Sequence, residues 1–231
     1  MRTLRIFSGG AAQGLVRALE ADFTAATGLG IEGNFGAVGA MRARLEAREP
    51  ADVAILTDAI MRSLADSGLV TASSLTAIGG VETAIAVRNA DRAPIVTDGE
   101  ALKAALLASD AIYMPDAEQS TAGIHFAGVM RRLGIFDEVS GRLRGFPNGA
   151  TAMAALASAP EQRPIGCTQV TEILATPGVI LVMALPPGHD LTTLYTAGIL
   201  VNAAAPEAAR ALLELLSGER QAGLRARCGF V

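Results

Sequence analysis

Strand and helix signals alternate along most of this chain, with short glycine-bearing connections between them, and that rhythm restricts its fold more than any other feature. "LRIF" (4–7) leads into a helix predicted from Ala11 to Thr27 and closed by Gly28. "IEGNF" (31–35) leads into a second helix from about Val38, and "ADVAIL" (51–56) into a third that ends at Gly68. The rhythm returns in the middle of the chain: helix 98–108, strand "AIYM" (111–114), helix 120–134, strand "LRGF" (143–146), helix 149–159, then strands "PIGCT" (164–168) and "GVILVMAL" (178–185). Such alternation predicts a mostly parallel sheet covered by helices on both faces.

Two longer β-type segments, 75–88 and 191–201, bracket the middle block. The expected architecture is therefore an α/β protein of two lobes, the second inserted into the first. Lobe I is read as 1–80 plus 195–231 and lobe II as 88–186, with 81–87 and 187–194 as hinge crossovers and the ligand in the cleft between lobes. A chain of 231 residues suffices for two such cores. With 4% aromatic residues and no Trp, those cores must be aliphatic.

The net charge of −4 argues against a general affinity for nucleic acid, so any anion site has to be local. The longest apolar run, "GVILVMALPPG", is too short to span a bilayer, so no direct membrane insertion is expected. "MRTLRIFSGG" has two Arg but no apolar segment of a secretory leader. As the chain is written, the expected compartment is the cytoplasm; a removed leader would make it the periplasm. Cys167 and Cys228 form neither a CxxC pair nor a disulfide framework and read as free thiols. His125 and His189 stand far apart without ligand spacing, so neither a metal nor another cofactor is expected.

Four strand-to-helix junctions carry small residues: Ser8-Gly9-Gly10, Gly36-Ala37-Val38-Gly39, Ser120-Thr121-Ala122-Gly123 and Asn148-Gly149-Ala150-Thr151. The first N–H groups of a helix lack partners within it and carry the positive end of its dipole. Small residues let an anion approach them. For any one loop, an ordinary cap or turn is the commoner explanation. All four lying at strand ends, two in each expected lobe, is what points to a ligand. "SGGAAQG" matches neither a P-loop nor the dinucleotide GxGxxG, and no GxSxG elbow is present.

The order of these motifs resembles the type II solute-binding proteins of bacterial ABC importers, most nearly the molybdate-binding family. The resemblance runs through "RIFSGGAAQGLVRALEADFTAATG", "NFGAVGAMRARLEAREPADVAILTD", "MPDAEQSTAGIHFAGVMRRLGI", "PNGATAMAALAS…PIGCTQVTEI" and "LLSGERQAGLRARCGF". It implies a two-lobe periplasmic-binding-protein-like fold that closes over a small oxyanion, with an importer's membrane component as a partner. By position it carries ligand contacts to Ser8, the Ala37-Val38 turn, Ala122, Gly149 and Gln169, with Gly9, Gly10, Gly36, Thr121 and Asn148 beside them. Where that family commonly offers a Ser and a Tyr hydroxyl, this chain has Ala37-Val38 and Gln169. Each lost hydrogen bond to a charged ligand costs ~1.5–3 kcal/mol, so a metal oxyanion would bind about tenfold or more weakly. A small carboxylate suits an apolar turn and an amide better.

The resemblance also takes in isomerases of unsaturated carboxylic acids such as aconitate, which move a proton along an allylic system. For that chemistry His125, one turn into its helix, is the candidate base. A half-buried His bonded to a neighbour is the commoner alternative. Asp58 is read as a helix cap, Glu172 as a solvated helix residue, Cys167 as a small buried hydrophobe, and Met41, Met61, Met130 and Met153 as core packing.

Overall fold

The computed structural model describes residues 2–231. Contacts divide the chain into two units, the first running through Val81 and resuming over Thr193–Val231, the second Glu82–Thr192.

Unit 1 opens with β1 (Thr3–Gly9), whose residues Leu4, Ile6 and Phe7 are buried. The helix that follows starts as one 3-10 turn (Gly10–Ala12) and becomes α1 at Gln13–Thr27. Leu15, Val16, Leu19 and Phe23 repeat at helical spacing and form its buried face. Gly28 stops it in the left-handed conformation (φ 70°), its N–H donating to the Thr24 carbonyl, a geometry that disfavours any residue with a Cβ. β2 (Gly30–Gly36), α2 (Val38–Glu46), β3 (Val53–Thr57) and α3 (Asp58–Asp66) complete the opening βα units. β1 pairs in parallel with β2 on one side and with β3 on the other.

β4 (Thr76–Arg88) leads out of unit 1 into unit 2. There follow α4 (Gly99–Ala108), β5 (Ala111–Pro115), α5 (Thr121–Arg132), α6 (Phe136–Val139), β6 (Leu143–Phe146), α7 (Gly149–Ala157), β7 (Pro164–Gln169), α8 (Val170–Leu174) and β8 (Val179–Ala184). β5 pairs in parallel with β6 and β7, while β4 runs antiparallel to both β7 and β8. The chain re-enters unit 1 through β9 (Thr192–Ile199), antiparallel to β3, and ends in α9 (Pro206–Ser217) and α10 (Ala222–Arg227). The sheets are thus mostly parallel and flanked by helices, the fold class that the alternating pattern predicts.

The central strands of unit 2, β5, β7 and the adjoining part of β4, are buried on both faces, and their alternation sorts the core into two layers. Ile85, Val87, Ile112 and Met114 join Phe126 and Met130 on one side; Ala84, Ala86, Ala111 and Tyr113 join Met153 and Leu156 on the other. Met41 and Met61 pack in the core of unit 1, and Cys167 is wholly buried among aliphatic side chains. Among the described residues, no helix is long and apolar enough to cross a membrane.

One buried carboxylate ties unit 1 together. Asp52, 5% exposed, accepts the N–H of Arg5 at 2.9 Å, of Ala204 at 2.7 Å and of Ala205 at 3.2 Å, joining β1 to the segment that enters α9. Replacing it with Ala would strand three partly buried backbone donors at once, each costing about 1 kcal/mol, the low end of the range for an unmet donor. Asp52→Ala is expected to lose on the order of 3 kcal/mol of stability, read from the shift of the urea midpoint.

Candidate functional site

In unit 1 the parallel register gathers one set of candidate residues. Gly9 stands beside Gly36 across β1 and β2, and Ser8 beside Ile55 across β1 and β3, so the carboxyl ends of three strands and the starts of the helices after them fall together. None of those starts has a side-chain cap: Gly9 ahead of the 3-10 turn, Ala37 ahead of α2 and Thr57 ahead of α3 all lack one. Their backbone N–H groups are therefore the donors on offer. Ser8 is fully buried, and its hydroxyl donates to the Gly9 carbonyl at 2.8 Å. Ala37 and Val38, at 8% and 7% exposure, give the turn an apolar wall.

Tyr195 belongs to the same group, and sequence reasoning missed it. It lies on β9 opposite Thr57 and is 2% exposed. A Cβ on Gly9 would stand 3.0 Å from its ring and 2.9 Å from Val38, so only glycine lets the turn pass this close to the phenol. The available signal was composition: a tyrosine within an aliphatic strand, one of two in the whole chain.

Asp58 is not the expected cap. It is the first residue of α3, where the cap position belongs to Thr57. Its carboxylate instead receives the Arg62 guanidinium at 2.6 Å and the Thr196 hydroxyl at 2.9 Å. Those bonds, Arg62 foremost, hold its carboxyl below the usual range.

In unit 2, Thr121 and Ala122 open α5, whose cap residue Ser120 likewise makes no side-chain cap bond. At the start of α7 the arrangement differs. Asn148 is a true cap, accepting the Thr151 N–H at 2.9 Å. The space over Gly149 is taken by the chain's own Glu172 carboxylate and Thr168 hydroxyl, into which a Cβ there would collide.

Glu172 therefore corrects the sequence reading, because it is not a solvated helix residue. It is 6% exposed and accepts the Thr168 hydroxyl at 2.5 Å. Burial pushes its carboxyl up; the bond from Thr168 and the backbone N–H groups of Gln169, Ala150 and Gly149 oppose that without cancelling it. Gln169, 3% exposed, ends β7 directly opposite Thr83 of β4. The Thr83 and Thr171 hydroxyls are buried with no partner among the described residues.

His125, half-buried on α5, donates its Nε2–H to the His189 carbonyl at 2.7 Å, which leaves Nδ1 as the nitrogen able to take a proton. Among the described residues no three His, Cys, Asp or Glu side chains cluster as a metal site.

Residues 4–231 match the family model for bacterial extracellular solute-binding proteins. The chain belongs to that family. It is 27% identical to an aconitate isomerase of Pseudomonas sp over 223 residues, which is 94% of this chain and 83% of that protein. Its fold is similar to the periplasmic molybdate-binding protein of Azotobacter vinelandii, with a TM-score of 0.80 at 17% identity and 99% and 98% of the two chains covered. A sulfate-binding protein of Mycobacterium tuberculosis matches at a TM-score of 0.77 and 15% identity, with 100% and 86% covered.

Glu172 sets a pH dependence of defined sign. A carboxyl raised by folding favours the folded state most below the ordinary Glu value, and that advantage fades as pH rises through the folded-state value. Wild type should therefore gain on Glu172→Gln as pH falls and lose ground toward neutrality, as read from paired thermal melts across that range.

Proposed function

We propose that this solute-binding protein holds a small carboxylate anion. The observation that carries the reading is the register of β1, β2 and β3, which lines up Gly9, Gly36 and three helix starts without side-chain caps. Carboxyl oxygens are received by those backbone N–H groups and by the Ser8 hydroxyl, which turns from the Gly9 carbonyl to the ligand, and the carbon skeleton rests on Ala37 and Val38. The apolar turn favours a carboxylate over a metal oxyanion, which would be short of hydroxyl donors there. Thr121, Ala122 and Gln169 form the donor set of unit 2. An importer's membrane component is the protein partner this reading implies.

A second reading, isomerisation of an unsaturated carboxylic acid, is supported by the similarity to aconitate isomerase and by the phenol of Tyr195 beside the Ser8-Gly9 turn. In such a reaction one allylic C–H bond breaks, the double bond moves by one position and a new C–H bond forms. The balance closes with no oxidant or cofactor. The same helix starts would stabilise the enolate-like charge, with His125, through Nδ1, or Tyr195 moving the proton.

Thermal shift against citrate, cis- and trans-aconitate, molybdate, tungstate and sulfate tests both readings. A ligand at about 100 times its Kd adds ~2.7 kcal/mol, which raises Tm by roughly 5–10 °C for a chain of this size. Carboxylates should stabilise the protein and Ser8→Ala should weaken them about tenfold; stabilisation by molybdate or tungstate alone would overturn the carboxylate reading. Proton NMR of cis-aconitate with the protein reads turnover, which Tyr195→Phe or His125→Ala abolishes if that side chain moves the proton. A mixture that stays unchanged leaves binding as the function.

A further inference from the structure

One of the four small-residue helix starts, Asn148-Gly149-Ala150-Thr151, already holds a carboxylate supplied by the chain. We propose that Glu172 is a resident carboxylate that fills the N-terminus of α7 and thereby positions Gln169, making Gln169, and not the α7 backbone, the ligand contact of this part of unit 2. The inference rests on the carboxylate-binding reading above.

Three observations carry it. The Glu172 carboxylate occupies the space over Gly149 where a ligand oxygen would have to sit, and a Cβ on Gly149 would meet it and the Thr168 hydroxyl at once. The same carboxylate takes the Thr168 hydroxyl at 2.5 Å and lies against Gly149, so a single side chain spans the end of β7 and the start of α7. Thr83, paired in register with Gln169, and Thr171, two residues beyond it, keep buried hydroxyls with no partner among the described residues. Buried polar groups are rarely left unmatched, and these two flank Gln169 at the strand end that Glu172 fixes.

The functional consequence is selectivity. With α7 already neutralised by an internal charge, this strand end offers an amide and hydroxyls to a ligand, and a second full negative charge placed beside Glu172 would be repelled. Gln169 thus receives a polar or weakly charged part of the ligand, while the most anionic group is left to other donors. Glu172 acts through Gln169 and is a positioning residue, not a catalytic one.

Amide hydrogen exchange by NMR and citrate titration by calorimetry test this on the full chain, with Glu172→Ala, Glu172→Gln and excess sodium formate. In wild type the Gly149, Ala150 and Gln169 amides should exchange slowly. In Glu172→Ala they should exchange at least ~10-fold faster and citrate should bind about 10-fold more weakly, with formate, the missing carboxylate, restoring both. A folded Glu172→Ala protein with wild-type exchange and affinity, or one that formate does not restore, overturns the proposal. If Glu172→Ala fails to fold, Glu172→Gln decides: faster exchange at those three amides with weaker citrate binding supports the proposal, and wild-type behaviour overturns it. If wild type binds no carboxylate at all, the binding reading fails by itself, and the exchange rates with and without formate still decide the role of Glu172.

Discussion

A helix that begins where a parallel strand ends presents backbone N–H groups that the helix cannot satisfy, and the candidate site of this protein depends on that fact. The parallel registers of β1 with β2 and β3 set Gly9 beside Gly36 and Ser8 beside Ile55, which brings the first turns of three helices to one place. Side chains could have capped those turns, as Asp98 caps α4 and Asn148 caps α7. At Gly9, Ala37 and Thr57 no side chain does so, which is why these starts are the proposed ligand contacts.

The same physics, directed inward, explains the two buried carboxylates. Asp52 and Glu172 lie at 5% and 6% exposure, where an isolated charge would be costly. Each is matched by donors of the chain: Asp52 by the N–H groups of Arg5, Ala204 and Ala205, Glu172 by the Thr168 hydroxyl at the end of β7. In an aliphatic core with few aromatic side chains, such bonds fix segments that packing alone would leave less well defined. The protein thus places carboxylates of its own at some helix starts and segment ends, and the proposed ligand would take others.

The layered α/β fold was legible because hydrophobic periodicity and glycine stops are local signals. Gly28 and Gly68 end α1 and the segment after α3 where the sequence places them, both at positive φ. One misreading was local, and the two that concern side-chain roles came from contacts with residues far along the chain. The predicted start of the first helix at Ala11 is a 3-10 turn, and α-helical geometry begins only at Gln13. Asp58 reads as a cap because it follows a strand, yet Thr196, 138 residues away, and Arg62 take its oxygens. Glu172 reads as solvated because the short segment "TQVTEI" is polar, yet its carboxylate closes over Gly149, in a different helix.

The sequence by itself determined the order of elements, the aliphatic character of the core and the small residues at the strand ends, because each of these is written in neighbouring residues. Tertiary structure decided which helix starts remain open. That choice turns on whether a distant carboxylate or hydroxyl reaches the N–H groups first, as Glu172 and Thr168 do at Gly149 and as no capping side chain does at Ala37. It also brought Tyr195 over Gly9, since only the antiparallel pairing of β9 with β3 could place a residue from near the end of the chain beside one from its start.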